Sequence, residues 1–159
     1  MVARSAGLLV HRPTADGGIE VLLVHPGGPF WRTRDEGAWS IPKGEHGPDD
    51  DPLATAEREF AEELGQAPPP ARGDDVDLGE VRLRSGKRIW AMARALGASE
   101  VDVDAVVSNT FESEWPPRSG RTQTFPEVDR AGWFSPDAAR AKLNPAQAAF
   151  VDRLLAALP

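Results

Sequence analysis

Three glutamates, Glu59, Glu62 and Glu63, stand at spacings of three and four residues. On a helix turning about 100° per residue they fall within an arc of about 100°, while Leu53, Phe60 and Leu64 point the other way. Like charges so placed repel, costing an isolated helix a few tenths of a kcal/mol per pair. They also lie toward the helix C-terminus, where the macrodipole disfavours anions. A divalent cation reverses that balance, and hard ions such as Mg²⁺ or Mn²⁺ take oxygen ligands. The competing explanation is a solvated acidic face on which Arg58 pairs with Glu62 one turn on. The surrounding pattern has to decide between them.

The elements that must hold these residues can be read from periodicity and turn chemistry. Asp51 is an N-cap with Pro52 at the first helical position, and Gly65 supplies the stop of a helix carrying Leu53, Ala56, Phe60 and Leu64. Upstream, Ala6–Val10 and Ile19–Val24 read as buried strands joined through an Asp16-Gly17 turn. From His25 to Gly44 no periodicity survives, and a loop this long, rich in Trp31, Arg32, Arg34 and Trp39, is expected to be functional. Ala67–Gly73 reads as a surface connector. Leu78–Arg84 and Lys87–Leu96 are expected strands meeting at Ser85-Gly86, followed by strands at Phe111–Trp115 and Val128–Phe134 with a loop over Pro116–Phe125 between them. Pro136–Leu143 and Pro145–Leu158 are expected helices, capped by Ser135 and Asn144. Strands, one helix, strands and then helices give an α/β fold with a mixed sheet.

At 159 residues a single domain over 1–159 is expected, large enough to bury a core unaided. The absence of cysteine excludes disulfides, thiolate metal sites and a cysteine nucleophile. No apolar run is long enough to span a bilayer, and the run after Arg4 is too short for a secretory signal, so neither a membrane nor export is expected and the cytoplasm is the default. A net charge of −7 argues against a nucleic-acid-coating protein.

The stretch from Gly44 to Gln66 resembles the Nudix hydrolase signature: Gly, five residues, Glu, seven residues, then Arg-Glu-apolar-any-Glu-Glu-any-Gly-apolar. Gly44, Arg58, Glu59, Phe60, Glu62, Glu63 and Gly65 all fall in register without an insertion. Asp50 replaces the first Glu with a shorter carboxylate, and Gln66 replaces the final apolar residue. The flanks agree, since an apolar strand pair precedes the motif and Ala131-Gly132-Trp133-Phe134 runs into a helix-starting Ser135-Pro136. The resemblance implies an α/β/α sandwich with a mixed sheet and a loop–helix–loop motif. It also implies a Mg²⁺- or Mn²⁺-dependent hydrolase cleaving a pyrophosphate bond in a nucleoside polyphosphate by attack of an activated water. A catalytically silent module binding a nucleotide or a protein is the alternative, which loss of helix glutamates would mark. All three are present.

By resemblance, Glu59 and Glu63 are the first choices as metal ligands, with Glu62 a third ligand or the base and the Gly44 carbonyl a further ligand. Arg58 is expected to orient the glutamates. Base candidates downstream are Glu112, Glu114 and, foremost, Glu127. Lys43, in a Pro-Lys-Gly lead-in resembling the dinucleoside polyphosphate and diphosphoinositol polyphosphate branches, suits a phosphate beyond those held by metal. Arg32, Arg34, Arg118 and Arg121 are further phosphate contacts for a long polyphosphate, and Trp31, Trp39 or Trp115 could stack on a base. The chain has no Tyr, unlike some dinucleoside polyphosphate hydrolases, and Val81-Arg82 stand where ADP-ribose hydrolases commonly carry Pro. The segments 115–120 and 125–130 resemble a bacterial branch of predicted nucleoside triphosphate pyrophosphohydrolases. The partner expected is thus a small molecule, bound by a monomer or homodimer.

Overall fold

Strands β1 (Arg4–Pro13) and β2 (Ile19–Pro26) form the expected hairpin, longer at its ends than the apolar runs alone indicate. The computed structural model describes residues 2–71, 73, 75–96 and 101–159; of the expected connector, Arg72 lies outside that set. Further along come β3 (Lys43–Glu45), helix α1 (Pro52–Leu64), β4 (Val76–Arg82), β5 (Arg88–Ala95), β6 (Thr110–Glu114), β7 (Thr122–Pro126) and β8 (Val128–Phe134). Helix α2 (Pro136–Lys142) follows, then a 3₁₀ turn (Pro145–Gln147) and α3 (Ala148–Ala157).

The main sheet runs β4-β5-β1-β2-β8, with β3 added to the free part of the β1 edge. Only β1 and β5 are parallel; the other pairings are antiparallel, so the sheet is mixed. Both faces are covered, which explains why β1 reads as an unbroken apolar run. Ala6, Leu8 and Val10 face α1, where Ala56, Phe60 and Leu64 close one core; Leu9, Ile89 and Ala91 face the other way, against Phe150, Val151 and Leu154 of α3. Phe60 and Leu64 have no solvent exposure, and burying each contributes roughly 1.5–3 kcal/mol. That burial fixes the rotation of α1 and so the direction of its acidic face.

The α1 caps behave as expected. The Asp51 carboxylate accepts from Ala54 N–H, and the helix ends at Gly65 in the left-handed conformation. Three expectations need correction. Lys43–Glu45 is a strand, paired to Ser5–Gly7, within what reads as an irregular segment. Its residues carry no strand signal of their own, so the pairing is set by the available β1 edge. The expected loop Pro116–Phe125 holds the second strand of a two-stranded hairpin, β6–β7, whose residues are mostly exposed and therefore show little apolar alternation. The last expected helix begins as a 3₁₀ turn, where the Asn144 side chain accepts from Ala146 N–H, and becomes α-helical only at Ala148.

Candidate active site

The acidic face of α1 opens into a cavity of about 450 Å³. Glu59, Glu62 and Glu63 form one wall, and β3 forms another through Lys43, Gly44 and Glu45. The approach of β3 to α1 is extremely close. A Cβ placed on Gly44 would stand 1.9 Å from Glu59 Cδ, so any side chain there would push the Glu59 carboxylate aside. One residue earlier, Lys43 N–H donates to Glu63 Oε1 at 3.2 Å. The glycine and lysine of the lead-in therefore seat two different glutamates.

The remaining wall comes from the far end of the sequence. Val107 and Asn109 donate their backbone N–H groups to the carbonyls of Leu64 and Glu62, at 3.1 and 2.9 Å, satisfying orphan acceptors at the α1 C-terminus. This capping brings Asn109 and Thr110 to the cavity. Glu127 then joins them, since its N–H donates to Asn109 O at 2.8 Å and its side chain lines the cavity.

Burial and mutual repulsion make this an unusual place for carboxylates. Desolvation pushes Glu63 up to about 7, opposed by the charge of Lys43. Glu59 is also raised, first by desolvation and then by the charge of Glu62. Neutral carboxyl groups near pH 7, or a cation among them, are the two ways to relieve this cost. The donors are all oxygen, which fits a hard divalent ion. Among the described residues, however, no three acidic or histidine side chains converge closely enough to form a ready-made ligand cage. Glu59, Glu62, Glu63 and Gly44 share one cavity as separate oxygen donors that a cation would have to draw together.

Lys87, at the mouth of β5, also lines this cavity and escaped the sequence reading. It sits in a Ser-Gly-Lys turn that looks like any solvated hairpin tip. Burial and the neighbouring charge of Lys43 hold its ammonium below the ordinary lysine range. Arg58 is more than half exposed, and its guanidinium lies 3.6 Å from Glu59 Oε1 rather than on Glu62. Asp50 is turned away, accepting from Gly47 N–H at 2.7 Å.

The four arginines do not gather at the carboxylates. Arg34 covers the Phe30 ring at 4.3 Å, and Arg32 borders a separate shallow hollow with Phe125 and Asp129. Arg118 and Arg121 sit exposed at the β6–β7 turn. Trp39 is buried, its indole N–H donating to Asp35, which makes it a core residue. Trp31 and Trp115 are half-buried and share a second cavity, beside the first. Glu114 lines that second cavity with its carboxylate engaged by Arg118 N–H, and Glu112 lines neither.

A mixed sheet lies between helices, and a glycine-entered acidic helix faces a basic rim. The NUDIX domain family matches residues 1–154, and the chain belongs to it. It is thereby a hydrolase of the class acting on pyrophosphate bonds. An Ap4A hydrolase of C. elegans is similar over 98 % of this chain and 98 % of its own, at 20 % identity and a TM-score of 0.60. The NUDIX domain of NrtR from Shewanella oneidensis, solved with ADP ribose, is similar over 100 % and 90 %, at 14 % identity and a TM-score of 0.65. The Nudix hydrolase RenU of M. smegmatis reaches 26 % identity over 98 % and 86 %, with a TM-score of 0.56. These likenesses are likenesses of fold. Curated protein sequences offer no match. No helix among the described residues is long and apolar enough to cross a membrane.

Proposed function

We propose that this protein hydrolyses a pyrophosphate bond in nucleoside polyphosphates, of the nucleoside triphosphate or dinucleoside polyphosphate type, with Mg²⁺ or Mn²⁺. The observation that carries this reading is the meeting of Glu59, Glu62, Glu63 and Glu127 in one cavity with Lys43 and Lys87. Glu59, Glu62, Glu63 and the Gly44 carbonyl would hold the cation. When bound, it would neutralise phosphate charge and lower the pKa of water in the site.

The chain's own groups supply the rest. Lys43 and Lys87, which line the same cavity, hold phosphate oxygens as point charges. Glu127 takes the proton of the attacking water as its oxygen bonds to phosphorus and the bridging P–O bond breaks. Two phosphate products leave. Arg58 keeps Glu59 oriented from outside.

The test is turnover of Glu59→Gln and Glu63→Gln with Mg²⁺ on a panel of nucleoside triphosphates, dinucleoside polyphosphates, ADP-ribose and inositol pyrophosphates. Losing one ligand costs several kcal/mol of barrier, about a thousandfold in rate. Near-unaltered rates reject the reading. Binding across the panel without turnover would instead mark a silent nucleotide-binding module.

A further inference from the structure

His25 closes the apolar run of β2 and has no solvent exposure. A buried imidazole needs a partner at each ring nitrogen, and this one has both. Nδ1 donates to Asp129 Oδ1 at 2.8 Å, and Nε2 donates to the Arg34 carbonyl at 2.6 Å. Trp39 packs edge-on against the ring at 5.2 Å between centroids, which fixes its tilt. One ring thus ties β8 to the segment that follows β2.

The place where it ties them is irregular. His25 pairs with Arg130 across the sheet, yet the next residue, Pro26, pairs with Val128, so Asp129 is the extra residue of a β-bulge. Bulges re-aim side chains, and here the added carboxylate meets the imidazole. Glu127 lies just past the bulge. Its carbonyl accepts from Gly27 N–H at 2.9 Å, its own N–H donates to Asn109 O at 2.8 Å, and its side chain lines the carboxylate cavity. His25 and Gly27 flank Pro26 as Asp129 and Glu127 flank Val128. The buried side-chain bond and the backbone bond to Glu127 are therefore neighbouring rungs across the same two strands.

We infer that His25 and Asp129 are a positioning pair, which holds the β8 bulge in place and thereby fixes where the Glu127 carboxylate stands relative to the attacked phosphorus. The inference rests on the proposed hydrolysis with Glu127 as base, and it adds what keeps that base in position. Neither His25 nor Asp129 lines the carboxylate cavity, so their effect on the reaction passes through Glu127. A reacting group misplaced by about 1 Å loses on the order of a hundredfold in rate.

The experiment measures kcat and KM of the full chain with a nucleoside triphosphate and Mg²⁺, for Asp129→Ala, Asp129→Asn and His25→Gln, each alone and combined with Glu127→Gln. Asp129 is partly exposed, so its variants test the pair without opening the core. In Asp129→Ala kcat should fall about tenfold to a hundredfold while KM stays within about twofold. Asp129→Asn keeps an acceptor oxygen and should recover most of the rate. His25→Gln, with one nitrogen for two acceptors, should lose at least as much as Asp129→Ala. On top of Glu127→Gln each substitution should cost less than about twofold, because the group being positioned is gone. An unaltered kcat in Asp129→Ala, a loss carried by KM, or a full loss in the Glu127→Gln background overturns the inference and leaves the hydrolase reading standing. Amide hydrogen exchange supplies a readout without turnover: the Gly27 and Glu127 N–H groups should exchange at least about tenfold faster in Asp129→Ala, with the α1 amides unchanged. Equal exchange also overturns the inference. A chain that hydrolyses no polyphosphate rejects the hydrolase reading, and with it any role of the pair in catalysis, whatever the exchange shows.

Discussion

Gly44 and Glu59 occupy the room of a single side chain: a methyl group on the glycine would fall 1.9 Å from the carboxyl carbon of the glutamate and 2.3 Å from each of its oxygens. The β3 backbone therefore lies directly against the acidic face of α1. This contact joins the first and the central residues of the signature, which stand fifteen positions apart.

Gly44→Ala should separate activity from stability. The obstructed group is the end of a flexible side chain, so Glu59 can swing aside at little cost. The expected outcome is a thermal midpoint lowered by only a few degrees, a ΔΔG of about 1 kcal/mol, with turnover down at least a hundredfold. Gly27→Ala should behave the opposite way in stability, because its obstruction is the Pro126 backbone oxygen. Overpacking there costs roughly 1–3 kcal/mol. Parallel thermal unfolding and turnover of the two variants checks both halves.

Glu63 gives the metal-free protein a pH-dependent stability with a definite sign. Its folded pKa is about 7 against an ordinary 4.5, raised by burial. Below about 4.5 the group is protonated in both states and costs nothing. Between 4.5 and 7 the unfolded chain ionises while the fold still holds the proton, so stability falls as pH rises, and the full penalty is present above 7. The loss is of the order of a few kcal/mol. Denaturant midpoints with chelator at pH 4.5 and pH 8 should therefore show a smaller fall in Glu63→Gln than in the unaltered chain. Mg²⁺ at pH 8 should raise the unaltered midpoint more than that of the variant.

Lys43 and Lys87 should read the length of the phosphate chain. Replacing either with Gln is expected to raise KM for a nucleoside tetraphosphate about tenfold while affecting a diphosphate less. Both lysines line the same cavity, which predicts that the double variant loses less than the product of the single losses. Equal losses on short and long chains would count against both.

Glu127→Gln tests the base. General-base catalysis contributes about 10²–10⁴ in rate, so kcat should fall by that amount. If kcat stays within about twofold, the proton goes to Glu62 instead, and Glu62→Gln should then carry that loss.

Local sequence was sufficient wherever chemistry and structure are set by near neighbours. The α1 helix, from its Asp51 cap to its Gly65 stop, follows from residues within one or two turns, and so does the shared face of Glu59, Glu62 and Glu63. The β1–β2 hairpin and the Ser135 cap are equally local. The motif's spacing carried the family, because its residues act together through one helix and the loop that enters it.

Tertiary structure decided what distant segments share. Lys43–Glu45 is a strand only because β1 leaves part of an edge free, and Lys87 reaches the cavity only because β5 runs parallel to β1. Glu127 arrives because residues 107–109 cap α1. Arg32, Arg34, Arg118 and Arg121 have the right charge, yet the fold leaves them away from the carboxylates, since charge alone does not specify a direction in space. Hydrogen bonds and packing between segments tens of residues apart make these choices, and such partners have no signature in either segment read by itself.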